Sequence, residues 1–179
     1  RRIQIIFQDP LSSLNPRHRI ETILSRPLKI FFGLKGRGAR DRMVELLESM
    51  ELVPDHLSRF PRQLSGGQQQ RIAIACAFAA KPDLILCDEV TSALDVSVQA
   101  KVLGLLKAIQ TKTGVACVFI SHDLGVVKQV ANRVIVLQKG VVAEAGFTKD
   151  VFAKPKDEYT KLLLAAASRQ NDAPLPIHN

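Results

Sequence analysis

Two adjacent carboxylates are the first residues in this sequence that could do chemistry. Asp88 and Glu89 follow the apolar run Leu-Ile-Leu-Cys, so they stand where a buried strand would leave the core. One carboxylate of such a pair can hold Mg²⁺, usually through water, while the other orients and deprotonates an attacking water. The alternative is that the two acids only cap the following helix or solvate a turn. This segment alone leaves both interpretations open.

A serine followed by two glycines is the second candidate. Ser65 and Gln68 have the S-x-x-Q spacing of a helix capping box, so the segment could be only a helix start. Gly66 and Gly67 are harder to explain in this way, because each glycine weakens a helix by up to about 1 kcal/mol relative to Ala. They are explained if an anion approaches the backbone, since a helix N-terminus offers free N–H groups and a partial positive charge.

Two further polar residues are ambiguous when each is considered alone. Gln8 follows the apolar residues of a predicted strand, Ile3–Phe7, and its amide could bind a metal-bound water or decorate a turn. His122 follows a second predicted strand, Val115–Ile120, and a lone histidine there is more often structural than catalytic. Like Asp88, both stand at the carboxyl ends of predicted strands, where parallel α/β sheets bind their ligands.

The elements that must position these residues alternate between strand and helix. Apolar groups at Met43, Leu46, Leu47 and Met50 predict an amphipathic helix over 39–50, preceded by a glycine-containing loop over 33–38. Further helices are predicted after the Ser-Gly-Gly turn and before Gly114. The short runs at 84–87 and 115–120 are typical of strands buried on both faces, and 133–145 predicts a hairpin around Lys139-Gly140. This alternation predicts an α/β fold with a largely parallel sheet.

Composition narrows the class of protein without identifying it. The 179 residues, 46% of them apolar and 23% charged, fit one globular domain. The net charge of +8 suits nucleic acid, anionic lipid or a nucleotide equally, and the basic residues are scattered. Cys76, Cys87 and Cys117 lie in apolar segments without metal-ligand spacing. The longest apolar run, Ile72–Ala80, is far shorter than the roughly 20 residues of a membrane span, so we expect an intracellular protein that does not cross the membrane.

Taken in order, the segments resemble the motifs of the ATP-binding-cassette ATPases. The resemblance covers residues 1–167 and implies a P-loop NTPase-like, largely parallel sheet that is incomplete at its N-terminus, with an inserted helical subdomain at 18–63. A disordered tail is predicted for 168–179. The motifs are the Q-loop at Gln8, the signature Leu-Ser-Gly-Gly-Gln at 64–68, the Walker B strand at 84–89, the D-loop Ser-Ala-Leu-Asp at 92–95 and the switch His122.

On this resemblance, ATP and Mg²⁺ are the implied ligands. Asp88 and Gln8 would contact the metal, Glu89 would be the general base, and His122 would contact the γ-phosphate. The signature residues would close over ATP that a second cassette holds, either an identical or a different subunit; these residues are Ser65, Gly66, Gly67 and Gln68. Asp95 would couple the two sites.

A narrower resemblance points to one branch of the family. The string Gln-Asp-Pro-Leu-Ser-Ser-Leu-Asn-Pro at 8–16 and Glu-Tyr-Thr-Lys-Leu-Leu at 158–163 are similar to importers of dipeptides, oligopeptides and nickel. The chain departs from the family because G-x-x-x-x-G-K-[ST], the phosphate-cradling P-loop, is absent from its 179 residues. We therefore expect a fragment of a longer product, of which a fused two-cassette parent is one form, and we expect this fragment alone to be inactive.

Three functions compete at this stage. The first is the ATP-hydrolysing motor of an importer for peptides or a related small solute, docked through 18–63 on transmembrane permease subunits at the cytoplasmic face of the inner membrane. The second is a non-hydrolysing cassette module with a binding or regulatory role. The third, a cassette acting on ribosomes or DNA, is disfavoured because the two cassettes and insertions usual for such proteins are not visible, and no nucleic-acid partner is expected.

Overall fold

The computed structural model describes residues 1–171, with side chains through residue 167, and it divides into two compact units. The first extends from Arg1 to Ile120 and the second begins at Ser121. Three strands of the first unit, β1 (Ile3–Ile6), β2 (Leu84–Asp88) and β3 (Ala116–Ile120), form a parallel sheet with β2 in the centre. The predicted parallel α/β arrangement is therefore confirmed.

Four helices accompany this sheet in the first unit. They are α1 (Ile20–Phe32), α2 (Gly36–Glu48), α3 (Gly66–Ala79) and α4 (Val96–Thr113), with short 3-10 turns at Pro10–Ser12, Pro54–Ser58 and Pro61–Gln63. Helices α1 and α2 and the last two turns occupy most of the segment 18–63. That this segment is a subdomain of its own remains a prediction.

The loop predicted around the glycines at 33–38 is shorter than expected. Gly33 ends α1 in the left-handed conformation, with its N–H directed to the carbonyls of Leu28 and Lys29, as helix-ending glycines do. The next helix already begins at Gly36, so two of the three glycines are helical. Burial of the apolar face of α2, which includes Met43 and Leu47, outweighs the low helix propensity of glycine at its first turn.

The core of the first unit lies on one face of the sheet. Ile6, Ile85 and Cys87 on that face are at most 1% exposed and share a hydrophobic cluster with the central residues of α3. Side chains on the opposite face of the sheet are exposed to solvent: Val118 is 47% exposed and Ile120 is 52% exposed. The prediction that β3 is buried on both faces is therefore wrong for the described residues, because a parallel strand is covered on both sides only where elements pack on both faces.

The second unit is built on a β-hairpin. Strands β4 (Arg133–Gln138) and β5 (Val141–Phe147) pair antiparallel through a turn at Lys139-Gly140 in which both residues have positive φ, so the predicted hairpin is confirmed. Helices α5 (Leu124–Val130), α6 (Thr148–Ala153) and α7 (Glu158–Asn171) complete this unit.

Helix α7 overlaps the segment predicted to be a disordered tail. It continues to Asn171 and so includes the first four residues of that segment, while 172–179 lie outside the described residues; the disordered tail stays a prediction. The Leu and Ala residues at 162–167, which favour helix, lead into this last turn. None of the described helices has the length and apolarity to span a bilayer.

Candidate functional site

Gln8 on one side, and Asp88 with Glu89 on the other, stand at or just beyond the carboxyl ends of two paired strands. Ile6 of β1 is the register partner of Cys87 of β2, so the residues that follow these two positions leave the sheet side by side. Asp88 is the last residue of β2 and is exposed, and Gln8 is exposed beyond the end of β1. This juxtaposition follows from the parallel pairing and is what the sequence predicts for a ligand site.

The backbone of Glu89 is held in an uncommon conformation. Its φ is +46°, in the left-handed region that non-glycine residues rarely adopt and that costs of the order of 1 kcal/mol or more. Two sets of hydrogen bonds hold it there. The Glu89 N–H donates to the carbonyl of Ile120 (3.0 Å), and the Glu89 carbonyl accepts from the N–H (3.1 Å) and Oγ (2.9 Å) of Ser92. Such strain concentrates at functional positions.

Capping of the next helix falls to Asp95 and not to the strand-end acids. Asp95 precedes α4, and its Oδ1 accepts from the Val98 N–H (2.9 Å) and the Ser97 hydroxyl (2.8 Å). Hydrogen bonding, first from Val98 and then from Ser97, lowers the pKa of Asp95. The alternative in which Asp88 and Glu89 cap this helix is therefore wrong. The coupling role of Asp95 remains a prediction, since its described contacts are those of a cap.

The residues Ser65 to Gln68 form a complete capping box at the start of α3. The Ser65 Oγ accepts from the Gln68 N–H (3.3 Å), and the Gln68 Oε1 accepts from the Ser65 N–H (3.0 Å). The capping interpretation is thus confirmed. It does not exclude an anion, because the serine is exposed and the first N–H groups of a helix have no intrahelical partners.

The two glycines of this turn have different surroundings. A Cβ on Gly67 would lie 2.5 Å from Cγ1 of Val98 in α4, and Gly67 is buried. Its small size is therefore required by helix packing, a reason that the sequence did not indicate. Gly66 is exposed, and a Cβ there would meet nothing within 4 Å. At Gly67, helix packing is an alternative to the anion explanation. At Gly66 no packing contact competes with it.

A buried histidine contacts the signature turn, which comprises residues 65–68, through the side chain of Gln68. His56 lies in the 3-10 turn Pro54–Ser58 and is 6% exposed, and its Nε2 is 3.3 Å from the Nε2 of Gln68. The sequence analysis missed this residue. The available signal was a histidine followed directly by the apolar Leu57, in the stretch Leu-Val-Pro-Asp-His-Leu twelve positions before Gln68.

His122 belongs to the second unit. It is exposed and stands between Ser121, whose Oγ accepts the N–H of Asp123 (3.0 Å), and Asp123 itself. Asp123 caps α5 by accepting from the N–H groups of Gly125 and Val126. The local geometry thus places His122 directly before a helix start. Its predicted contact with a γ-phosphate remains a prediction.

The residues at the sheet edge fit a magnesium ion only in part. In the described part of the chain, no three His, Cys, Asp or Glu side chains form a metal-binding group. Mg²⁺ commonly keeps several waters and takes one or two carboxylates together with substrate phosphates. The exposed Asp88 carboxylate and the exposed Gln8 amide, which follow paired strands, suit this kind of substrate-dependent site, in which phosphates and waters complete the coordination.

A separate pocket opens at the far ends of three helices in the first unit. Its volume is about 660 Å³, and its apolar wall contains the buried side chains of Leu46, Phe78, Ile109 and Val115. Charged side chains complete the lining; these are Arg42, Glu45, Glu48, Lys81 and Lys112. The pocket lies where α3 and α4 end, opposite to their N-terminal ends and thus away from the signature turn.

The names of several curated relatives of this chain describe them as ATP-binding proteins of peptide transport. The oligopeptide transport ATP-binding protein OppF of Salmonella typhimurium is 46% identical over 165 residues, which are 92% of this chain and 49% of OppF. The dipeptide transport ATP-binding protein DppF of Haemophilus influenzae is 44% identical over 169 residues, 94% of this chain and 52% of DppF. The chain therefore spans about half the length of the curated relatives that it matches. The resemblance to the peptide-importer branch is confirmed by these relatives.

Solved structures agree with the fold. A dimeric post-hydrolysis state of the ATP-binding cassette MJ0796 bound to ADP and Pi superposes with a TM-score of 0.71 at 34% identity, covering 82% of this chain and 62% of that one. Another, cbiO1 from Clostridium perfringens, part of the cbiONQ complex, gives 0.75 at 27% identity over 94% of this chain and 65% of that one. The family profile described as ABC transporter matches residues 1–92, more than half of the chain. Together with the motif order and the parallel sheet, this match shows that the chain belongs to the ABC transporter family of ATP-binding cassettes.

Proposed function

We propose that this chain forms most of the ATP-hydrolysing core of an importer motor for peptides or a related small solute. The observation that carries the proposal is the carboxyl edge of the sheet, where Gln8 follows β1 and where Asp88 and the strained Glu89 end the paired strand β2. The names of the similar proteins OppF and DppF support the choice of peptides as cargo.

In this proposal Glu89 is the general base. Its carboxylate accepts a proton from a water that the Gln8 amide orients, the water oxygen forms a bond to the γ-phosphorus of ATP, and the bond from that phosphorus to the bridging oxygen of ADP breaks. A magnesium ion, when bound at Asp88, would neutralise charge on the phosphate oxygens. The hydrogen bonds that hold the backbone of Glu89 fix the point from which its side chain extends before substrate arrives, which reduces the reorganisation needed in the transition state. In the second unit, His122 would contact the γ-phosphate.

The signature turn serves ATP that is held by a second cassette, which is either another copy of this protein or a different one. Ser65 and the open backbone at Gly66 face solvent at the start of α3, and this end of the helix carries free N–H groups and a partial positive charge. The dimer of the similar cassette MJ0796 with ADP and Pi supports such an arrangement. Asp95, which caps α4 close to Gly67, would pass the state of one site to the other.

The pocket at the ends of α2, α3 and α4 is the proposed docking place for a permease segment. It has a buried apolar wall and a charged rim, which suits an amphipathic helix of a partner. One side of it, from Arg42 to Ser49, belongs to the segment 18–63 that resembles the docking subdomain. A cassette bound in this way is a peripheral protein at the cytoplasmic face of the inner membrane.

One experiment separates this proposal from a non-hydrolysing module. Binding and hydrolysis of Mg-ATP are measured for the 179-residue chain and for a version extended upstream to include a G-x-x-x-x-G-K-[ST] motif. We expect ATP binding and turnover in the extended version and neither in the shorter one, because the P-loop supplies most of the phosphate contacts. Absence of both activities in the extended version would replace the motor by the non-hydrolysing module.

A further inference from the structure

His56 is a buried polar side chain that links the helical segment to the signature turn. Its 3-10 turn packs against α1 and α2, and its ring reaches the Gln68 side chain at the start of α3. At 6% exposure the imidazole has little access to solvent, so both ring nitrogens need protein partners. Nδ1 lies 3.0 Å from the carbonyl oxygen and 3.2 Å from the nitrogen of Val53, and Nε2 lies 3.3 Å from Gln68 Nε2.

These distances favour one arrangement of protons over the other, although neither satisfies all four contacts around the ring and the Gln68 amide. The Gln68 Oε1 accepts from the Ser65 N–H, so the end of the amide that faces His56 is the NH₂ group, which can only donate. The His56 Nε2 must then be the acceptor and carries no proton. A neutral imidazole with a bare Nε2 has its proton on Nδ1 and donates it to the Val53 carbonyl. The Val53 N–H, which points at Nδ1, then loses its acceptor, so this tautomer keeps three of the four hydrogen bonds, whereas the opposite tautomer keeps two.

The opposite tautomer would disrupt the turn. With the proton on Nε2, Nδ1 would accept from the Val53 N–H and the Nε2–H would point at the NH₂ group of Gln68, donor against donor. The Gln68 amide would have to rotate by half a turn to accept it. Its Oε1 would then leave the Ser65 N–H, and half of the capping box would be lost.

We propose that His56 is a positioning residue for the signature turn: its Nε2 holds the Gln68 amide in the orientation that fixes the backbone of Ser65. The inference rests on the proposed function, in which Ser65 contacts ATP held by a second cassette. It adds a direct connection between that contact and the helices α1 and α2, through the 3-10 turn that packs on both.

Two matched substitutions separate positioning from simple packing. His56→Gln can place an amide oxygen near the former Nε2, where it accepts from Gln68, but it loses the bond to Val53. His56→Asn can donate to Val53 near the former Nδ1 but does not reach Gln68. Each variant keeps one of the two bonds, so similar losses of Tm are expected, and only a positioning role predicts different turnover.

The assay is ATP turnover by the extended, P-loop-containing version at saturating and at limiting ATP. We expect His56→Asn to lower kcat about tenfold, the equivalent of one hydrogen bond in the transition state, with KM for ATP unchanged. His56→Gln should stay within about twofold of the wild-type kcat. Wild-type turnover in His56→Asn, or an equal loss in both variants, would overturn the inference.

A second readout does not depend on turnover. Long-range ¹⁵N–¹H NMR spectra of the same extended version report which nitrogen of His56 is protonated. A protonated Nδ1 with a bare Nε2, together with displaced Gln68 side-chain NH₂ signals in His56→Asn but not in His56→Gln, supports the inference; a protonated Nε2 contradicts it. If the wild-type protein hydrolyses no ATP, the proposed function fails, and this spectrum still decides the role of His56.

Discussion

Alanine should destabilise the protein at Gly67 but not at Gly66, the two glycines of the signature turn. In Gly67→Ala the new Cβ would lie 2.5 Å from Cγ1 of Val98, and this β-branched side chain has little rotational freedom to move away. Overpacking of this kind costs about 1–3 kcal/mol. In Gly66→Ala the new methyl group meets nothing within 4 Å, and φ at this position is not in the left-handed region. Alanine there should be neutral or stabilise the helix by up to about 1 kcal/mol.

Thermal unfolding of the 179-residue chain measures the difference. Each kcal/mol shifts Tm by about 2–4 °C for a chain of this size, so the Tm values of the two variants should differ by several degrees. Val98→Ala is the matched control, because it removes the methyl group that meets the new Cβ. The double variant Gly67→Ala/Val98→Ala should show a smaller effect of Gly67→Ala than the single variant does.

Two results would contradict the different surroundings of Gly66 and Gly67. A Gly67→Ala chain as stable as the wild type would mean that α4 does not approach α3 as closely as described. An equal loss of Tm in Gly66→Ala would remove the distinction between the two glycines. In the extended, ATP-hydrolysing version, Gly66→Ala should still lower kcat, because the methyl group covers the backbone that the proposed function directs at ATP.

Three other outcomes are expected. Glu89→Gln in the P-loop-containing version should retain ATP binding and lose turnover, measured by nucleotide binding and phosphate release, and normal hydrolysis would remove Glu89 from its role as base. Asp95→Ala should lower Tm at neutral pH by removing the α4 cap, while Asp95→Asn, which keeps the acceptor oxygen, should lower it less. Because the folded-state pKa of Asp95 is lowered, its stabilisation is present above the ordinary Asp pKa of about 4 and is lost as pH falls through the folded value. The Tm gap between wild type and Asp95→Ala should therefore narrow in acid, and a gap independent of pH would contradict this. Lys112→Glu at the pocket should weaken co-purification with the permease without changing Tm, whereas Arg17→Glu, at an exposed position outside the pocket lining, is the matched control.

The sequence by itself determined the family of this chain and the residue types on which the proposed function rests. The order of the glutamine, the signature turn, the paired acids and the histidine identified the family, because each motif combines residue types that phosphate chemistry needs with fixed spacing along the chain. Strand and helix alternation likewise predicted the parallel sheet, since hydrophobic periodicity is a local property that the chain displays without folding.

Tertiary structure decided what local pattern leaves open. Two identical glycines, Gly66 and Gly67, differ only in what approaches them, and the approach of Val98 comes from a helix thirty residues away along the chain. The same holds for His56, whose partner Gln68 and whose tautomer depend on distances between separate elements. The sequence also did not predict that one face of β3 is exposed, because Val118 and Ile120 are apolar whether or not another element covers them. Sequence pattern gives the type of each group, whereas packing between distant segments fixes which groups meet.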